Sequence, residues 1–256
     1  MRRPRRLRHG EEATLVEHLD ELRSRIIFSL VAVAICTIVA FIFQHRILAW
    51  LSAPLPEHMQ QKGILTLSPA EPFLITFKIS MWVGLGLAFP IVLYQVWGFL
   101  APAVAERTQR IVAAFVAFAA SLLVAGVAFG YYIVLPRALA FLTGYNDQFF
   151  NVNLRASDYY NFVLLVLVGC GIVFELPIFV LALVRLGIVT SHQLRHTRRI
   201  GYFVVAIVAV LLPGIDPVTT TLEAIPLFVL YEGSIWLSVL FERHWNRNAV
   251  PLEYIP

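Results

Sequence analysis

The sequence predicts an all-α integral membrane protein with six transmembrane helices, the fifth and sixth of them short, and an extracytoplasmic cap. Of 256 residues, 59% are apolar and only 14% charged, with a mean hydropathy of +0.76, whereas soluble domains carry about 25% charged residues. The apolar residues are gathered into long runs rather than spread as core periodicity. Basic residues crowd alternate connections between those runs. A disordered chain and a solvated globule are both excluded by this composition.

The first run, Ile26 to Phe43, is preceded by an Arg-rich segment, 1–25, holding Arg2, Arg3, Arg5, Arg6, Arg8, Arg23 and Arg25. It begins too late and runs too long for a cleaved signal peptide, and it leads to Gln44-His45-Arg46 rather than to small residues. No aromatic residues interleave the arginines, so they read as orienting charges rather than a nucleic-acid surface. Within Glu17 to Arg25, acids and bases recur at helical spacing, the pattern of a solvated face with local ion pairs.

The second run, Ile75 to Leu100, contains Pro90, and the third is Ile111 to Leu135. Between the first two, Gln44 to Leu74 is too apolar and aromatic for a flexible linker. Its His45-to-Leu51 stretch has the composition of a short interfacial amphipathic helix, and Pro54 marks a turn. Pro136 to Asn161 has the same character, and these two long segments make the expected cap. The fourth run is Phe162 to Val184.

The fifth run, Ile200 to Leu212, has about 13 residues, which as helix cover only about 20 Å of a roughly 30 Å hydrocarbon layer. It ends in Pro213-Gly214-Ile215-Asp216-Pro217, a turn signal. Thr219, Thr220, Thr221 and Glu223 then make the start of the sixth run, Leu222 to Phe241, polar. The tip of this hairpin is expected below the membrane surface, thinning the bilayer or lining a wet cavity. With six spans, 15 Lys and Arg residues fall on the side of the termini and 4 on the other, which makes both termini cytoplasmic. The chain reads as a single membrane domain over 1–256, with 242–256 a cytoplasmic tail.

Catalytic chemistry lacks its residues. All seven histidines lie outside the runs, Gly233-Ser234 lacks the second glycine of a nucleophile elbow, and no phosphate-cradling Gly-x-x-x-x-Gly-Lys occurs. Cys36 and Cys170 sit alone in apolar runs as small fillers. No catalytic residue, metal, cofactor or nucleic-acid partner is expected.

What remains are intramembrane acids, which are costly and therefore face protein or water. Glu175, in Phe174-Glu175-Leu176-Pro177, reads equally as a bundle-bonded acid at a kink or as a contact for another chain or a proton relay. Glu223 and Glu232, nine positions apart, point to opposite sides of one helix. Glu232 reads as snorkelling, Glu223 as facing the proposed cavity together with Asp216.

Several segments together resemble the TatC family, the multi-spanning receptor subunit of the twin-arginine protein translocase. They are His18-Leu19-Asp20-Glu21-Leu22-Arg23, Ser52-Ala53-Pro54-Leu55, Ser68-Pro69-Ala70-Glu71-Pro72-Phe73, Tyr94 to Pro102, Phe174-Glu175-Leu176-Pro177 and Ala224-Ile225-Pro226. They occur in the family's order over nearly the whole chain. The resemblance implies a bacterial cytoplasmic-membrane receptor for the Arg-Arg signal peptides of folded precursors. It implies single-span TatA and TatB partners, assembly as an oligomer with them among membrane lipids, and drive by the proton-motive force. Size agrees with a need for partners, since six helices of about 10 Å diameter cannot enclose a pore for a folded protein some 30 Å across.

By the same resemblance, Glu21 meets the arginine pair, with Arg23, Gln95 and Phe99 near the docking surface. A carboxylate accepts two parallel donors from Arg and not from Lys. The family's second acid falls at Thr108, so Glu106, two residues earlier, is the substitute candidate. Glu175, Asp216, Thr220 and Glu223 are the intramembrane polar positions for signal peptide or partner helices, and Pro54 and Pro90 are structural. The rival reading is a proton-coupled small-molecule transporter in which Glu175 and Glu223 shuttle protons.

Overall fold

Between Leu15 and Ile42 there is no glycine or proline, and this segment forms one 28-residue helix, α1. In a bilayer only a helix satisfies every backbone group within the segment, so its many β-branched residues do not weaken it as they would in water. The computed structural model describes residues 15–55, 64–100, 109–145, 148–149, 153–185, 187–212 and 217–248.

A one-residue turn at Phe43 joins α1 to α2 (Gln44–Ser52), the short helix expected from its amphipathic composition. Next come α3 (Glu71–Leu100), with Pro90 inside it, and α4 (Gln109–Phe129). A π-helical turn, Gly130–Val134, carries α4 directly into α5 (Leu135–Gly144). α6 (Ala156–Phe174) breaks at Glu175 and resumes as α7 (Leu176–Arg185). Then follow α8 (Ser191–His196), α9 (Arg198–Leu211) and α10 (Pro217–Asn248).

Among the described residues, five helical stretches are long and apolar enough to cross a membrane: His18–Ile42, Glu71–Phe99, Val112–Gly144, Ala156–Arg185 and Pro217–Glu242. The fifth expected span is α9, at 14 residues about 21 Å long. The sixth is not short, as expected, but 32 residues. Pro217 opens it, where a missing N–H costs nothing, and the Thr221 hydroxyl donates to the Pro217 carbonyl at 2.6 Å, drawing the polar start into the first turn. Near its far end, Glu242 accepts from the Ser191 amide at the start of α8 at 3.1 Å, a carboxylate at the N-terminus of that short helix.

The described residues within 1–49 and 73–120 form one compact unit, and those within 50–72 and 121–256 another. In the first, α1 and α3 touch where Gly84 meets Thr37; a Cβ at Gly84 would stand 2.4 Å from the threonine Oγ1 and 2.5 Å from its Cα. Lipid offers no hydrophobic drive between helices, so close backbone approach supplies the contact.

The second unit is built on α10. Its buried residues Thr219, Glu223, Leu227, Tyr231 and Ile235 recur every four positions as one stripe. Leu227, Tyr231 and Ile235 pack with Val173, Val205 and Ala209, and the Tyr231 ring lies against the bare backbone of Gly201. A similar close approach brings Gly126 of α4 against the Cys170 carbonyl and Phe174 of α6.

The two segments expected to form a cap are tied together by hydrogen bonds. The Leu65 amide donates to Leu154 O at 3.0 Å and the Ala156 amide to Leu65 O at 2.7 Å, a single parallel bridge. Glu71, 6% exposed, accepts from the Leu67 amide (2.8 Å), the Arg155 Nε (3.0 Å) and the Ser157 amide (3.1 Å). Two of the last carbonyls of α2 accept from tyrosine hydroxyls, both at 2.7 Å: Tyr131 on Trp50 O, which also takes the Ala53 amide at 3.2 Å, and Tyr159 on Leu51 O. Trp50 also stacks on Tyr131, centroids 3.8 Å apart. Pro54 sits half-buried in the turn that follows, as its sequence context predicts.

Candidate functional site

On α1, His18, Glu21 and Arg25 lie at helical offsets of three and four, and so share one face. Gln95, Gly98 and Phe99 do the same at the end of α3. The two faces meet. Arg25 donates from Nε (3.0 Å) and Nη2 (2.6 Å) to the Glu21 Oε1, and from Nη1 to the Gln95 Oε1 at 3.2 Å. The His18 ring stacks on Phe99, centroids 4.3 Å apart and planes 18° from parallel.

Gly98 is the floor of this arrangement. A methyl there would stand 2.3 Å from the Arg25 Nη1, so the bare backbone is what leaves room for the guanidinium against α3. The Arg25 guanidinium is thus held between a carboxylate of α1 and an amide oxygen of α3, with the His18–Phe99 stack as a second contact between the same two faces.

Three of the expected docking residues, Glu21, Gln95 and Phe99, are thus brought together. Arg23 is not: two positions from Glu21 it lies about 200° around the helix, exposed on another face. Glu106 and Thr108 lie outside the described residues. Sequence spacing alone signals the Glu21–Arg25 pair, since i,i+4 acid and base meet on a helix. Nothing local signals Gly98 or the stacking of His18, which depend on how α1 meets α3.

A second set of polar groups lies within the helices of the other unit. Pro177 cannot donate to the carbonyl four residues back, so α6 stops and Glu175 occupies the break, its amide bonded to Ile172 O at 3.1 Å. Both Glu175 carboxyl oxygens are buried without a hydrogen bond; the Leu123 backbone amide is near but does not complete one. Glu175 thus sits at the kink with the Leu123 backbone as its nearest polar neighbour, an arrangement compatible with either reading of this acid.

Glu223 departs from expectation. Predicted to face a wet cavity, it is 1% exposed on the buried stripe of α10, with the Cys170 thiol in electrostatic reach. It packs inward because it shares the stripe with Thr219 and Leu227, one helical turn to either side. Thr220, next to it, is half-buried. Glu232 does not simply snorkel: it accepts from the Tyr202 hydroxyl and lies 3.6 Å from an Arg198 guanidinium nitrogen. Asp216 and its turn lie outside the described residues. Cys36 and Cys170 are free thiols. Among the described residues no cluster of three or more His, Cys, Asp or Glu has the arrangement of a metal site.

The family model for TatC, the Sec-independent protein translocase protein, matches residues 17–226. Over 234 residues the chain is 38% identical to the Sec-independent protein translocase protein TatC of Aquifex aeolicus (strain VF5), covering 90% of this chain and 96% of that one. With the chloroplastic protein TATC of Arabidopsis thaliana it shares 34% identity over 244 residues, 94% of this chain and 71% of that one. Its fold is similar to the crystal structure of a twin-arginine translocase receptor, TatC, in DDM, with a TM-score of 0.75 and 36% identity, covering 86% of this chain and 99% of that one. The family's segments span α1 to α10 in this order, and the chain therefore belongs to the TatC family of protein translocase components.

Proposed function

We propose that this chain is the receptor of a twin-arginine translocase. It binds the Arg-Arg signal peptides of folded precursors at Glu21, with Gln95 and Phe99 completing the site and Glu106 as a second acid. The observation that carries this reading is the guanidinium slot itself, a carboxylate and an amide oxygen held on two helix ends over a bare glycine, with the His18–Phe99 stack between the same two faces.

The chain crosses a bacterial cytoplasmic membrane six times as one membrane domain, α9 being the fifth and shortest span. Both termini are cytoplasmic, which the 15-to-4 division of basic residues supports. The bonded segments around Glu71 and α2 form the outer cap. Glu175, Asp216, Thr220 and Glu223 serve the signal peptide or the single-span TatA and TatB partners, and transport is driven by the proton-motive force. Glu175 fits that role because a carboxyl left without a partner inside its own bundle is available to another chain. A proton-coupled small-molecule transporter is the less favoured reading, because the chain's family is one of protein translocases.

The test is export in a bacterium whose own receptor gene is deleted and replaced by this one. Glu21→Ala abolishes export of an Arg-Arg reporter while the protein remains inserted at its normal level; normal export by that variant defeats the proposal.

A further inference from the structure

The slot proposed for the signal peptide is already filled, by the chain's own side chain. Arg25 places two guanidinium nitrogens on the Glu21 Oε1 and a third on the Gln95 Oε1, above Gly98. That is the same group, on the same acceptors, that a signal-peptide arginine would present. We propose that Arg25 is an internal ligand of the site, so that docking exchanges one guanidinium for another at Glu21. This rests on the receptor reading given above.

The exchange has a physical use. The Glu21 side chain is 36% exposed, so an incoming guanidinium can reach the carboxylate from solvent. Arg25 satisfies it while no peptide is bound. The pair is a partly exposed i,i+4 contact, a class whose strength is modest, so a second guanidinium can displace it. An internal competitor raises the dissociation constant of every ligand for the slot by one common factor. Arginine therefore keeps its advantage over lysine, while weakly held basic sequences fall below useful occupancy.

The test is equilibrium binding of Arg-Arg and Lys-Lys signal peptides to the full chain in nanodiscs, for the wild type, Arg25→Gln and Arg25→Lys. Lysine keeps the charge but loses the fork that spans Glu21 and Gln95. Both variants are expected to bind the Arg-Arg peptide two- to tenfold more tightly, with the Arg-to-Lys preference unchanged. An unchanged or weaker affinity in both overturns the inference alone, provided the wild type prefers Arg-Arg. Tightening confined to Arg25→Gln also overturns it, because loss of charge then explains the gain. A wild type without any preference for Arg-Arg overturns the receptor reading and this inference with it.

Discussion

Glu71 holds Arg155 across 84 positions of sequence, its Oε1 3.0 Å from the arginine Nε, and the two partners differ sharply in exposure, 6% against 43%. The acid is the hub. It also takes the amides of Leu67 and Ser157, so it joins the segment before α3 to the start of α6.

That asymmetry predicts unequal mutants. Glu71→Ala strands two backbone donors and the guanidinium, and should cost about 2–4 kcal/mol. Arg155→Ala leaves both amide bonds in place and removes only a solvent-screened pair, about 0–1 kcal/mol. Thermal unfolding in detergent, followed by tryptophan fluorescence, should rank wild type and Arg155→Ala together, well above Glu71→Ala. Equal losses would contradict the hub.

The helix contact at Gly84 predicts a contrast two residues apart on α3. Gly84→Ala drives a methyl into the Thr37 backbone and should destabilise by about 1–3 kcal/mol. Gly86→Ala meets nothing within 4 Å and should be neutral or stabilise by up to about 1 kcal/mol. The same unfolding measurement separates them, and equal effects would mean that α1 does not pack there.

Glu175 should trade stability for function. With both carboxyl oxygens buried and unbonded, Glu175→Leu relieves a desolvation cost of about 1–3 kcal/mol and should raise the unfolding temperature. Export of an Arg-Arg reporter should fall in the same variant. A variant less stable than wild type would show that the carboxyl is a structural member of the bundle.

The helices were readable from the sequence because lipid demands long apolar runs, and α2 because its polar and apolar residues alternate at helical spacing. The length of α10 was not. Its apolar run covers Leu222 to Phe241, yet the helix spans Pro217–Asn248, because backbone hydrogen bonding does not stop where the side chains turn polar. Glu71 stood inside a recognised segment without any local sign of its role, since its charged partner lies on another helix's threshold. Glu223 was misplaced because a polar residue in a membrane suggests water, while the four-residue recurrence with Thr219, Leu227 and Tyr231 turns it into the protein. In the slot, Glu21 came from resemblance, and the i,i+4 spacing marked its pairing with Arg25. The contributions of Gln95, Gly98 and His18 as one arrangement needed the meeting of α1 and α3.

The receptor claim is tested most directly by measuring the affinity of an Arg-Arg signal peptide and its Lys-Lys counterpart for the purified full chain in nanodiscs, beside Glu21→Ala. The account predicts at least about tenfold tighter binding of Arg-Arg to the wild type, the worth of one bidentate charge-assisted contact of about 1.4 kcal/mol or more. In Glu21→Ala that preference disappears. Equal affinities in the wild type, or a preference that survives in Glu21→Ala, would contradict it.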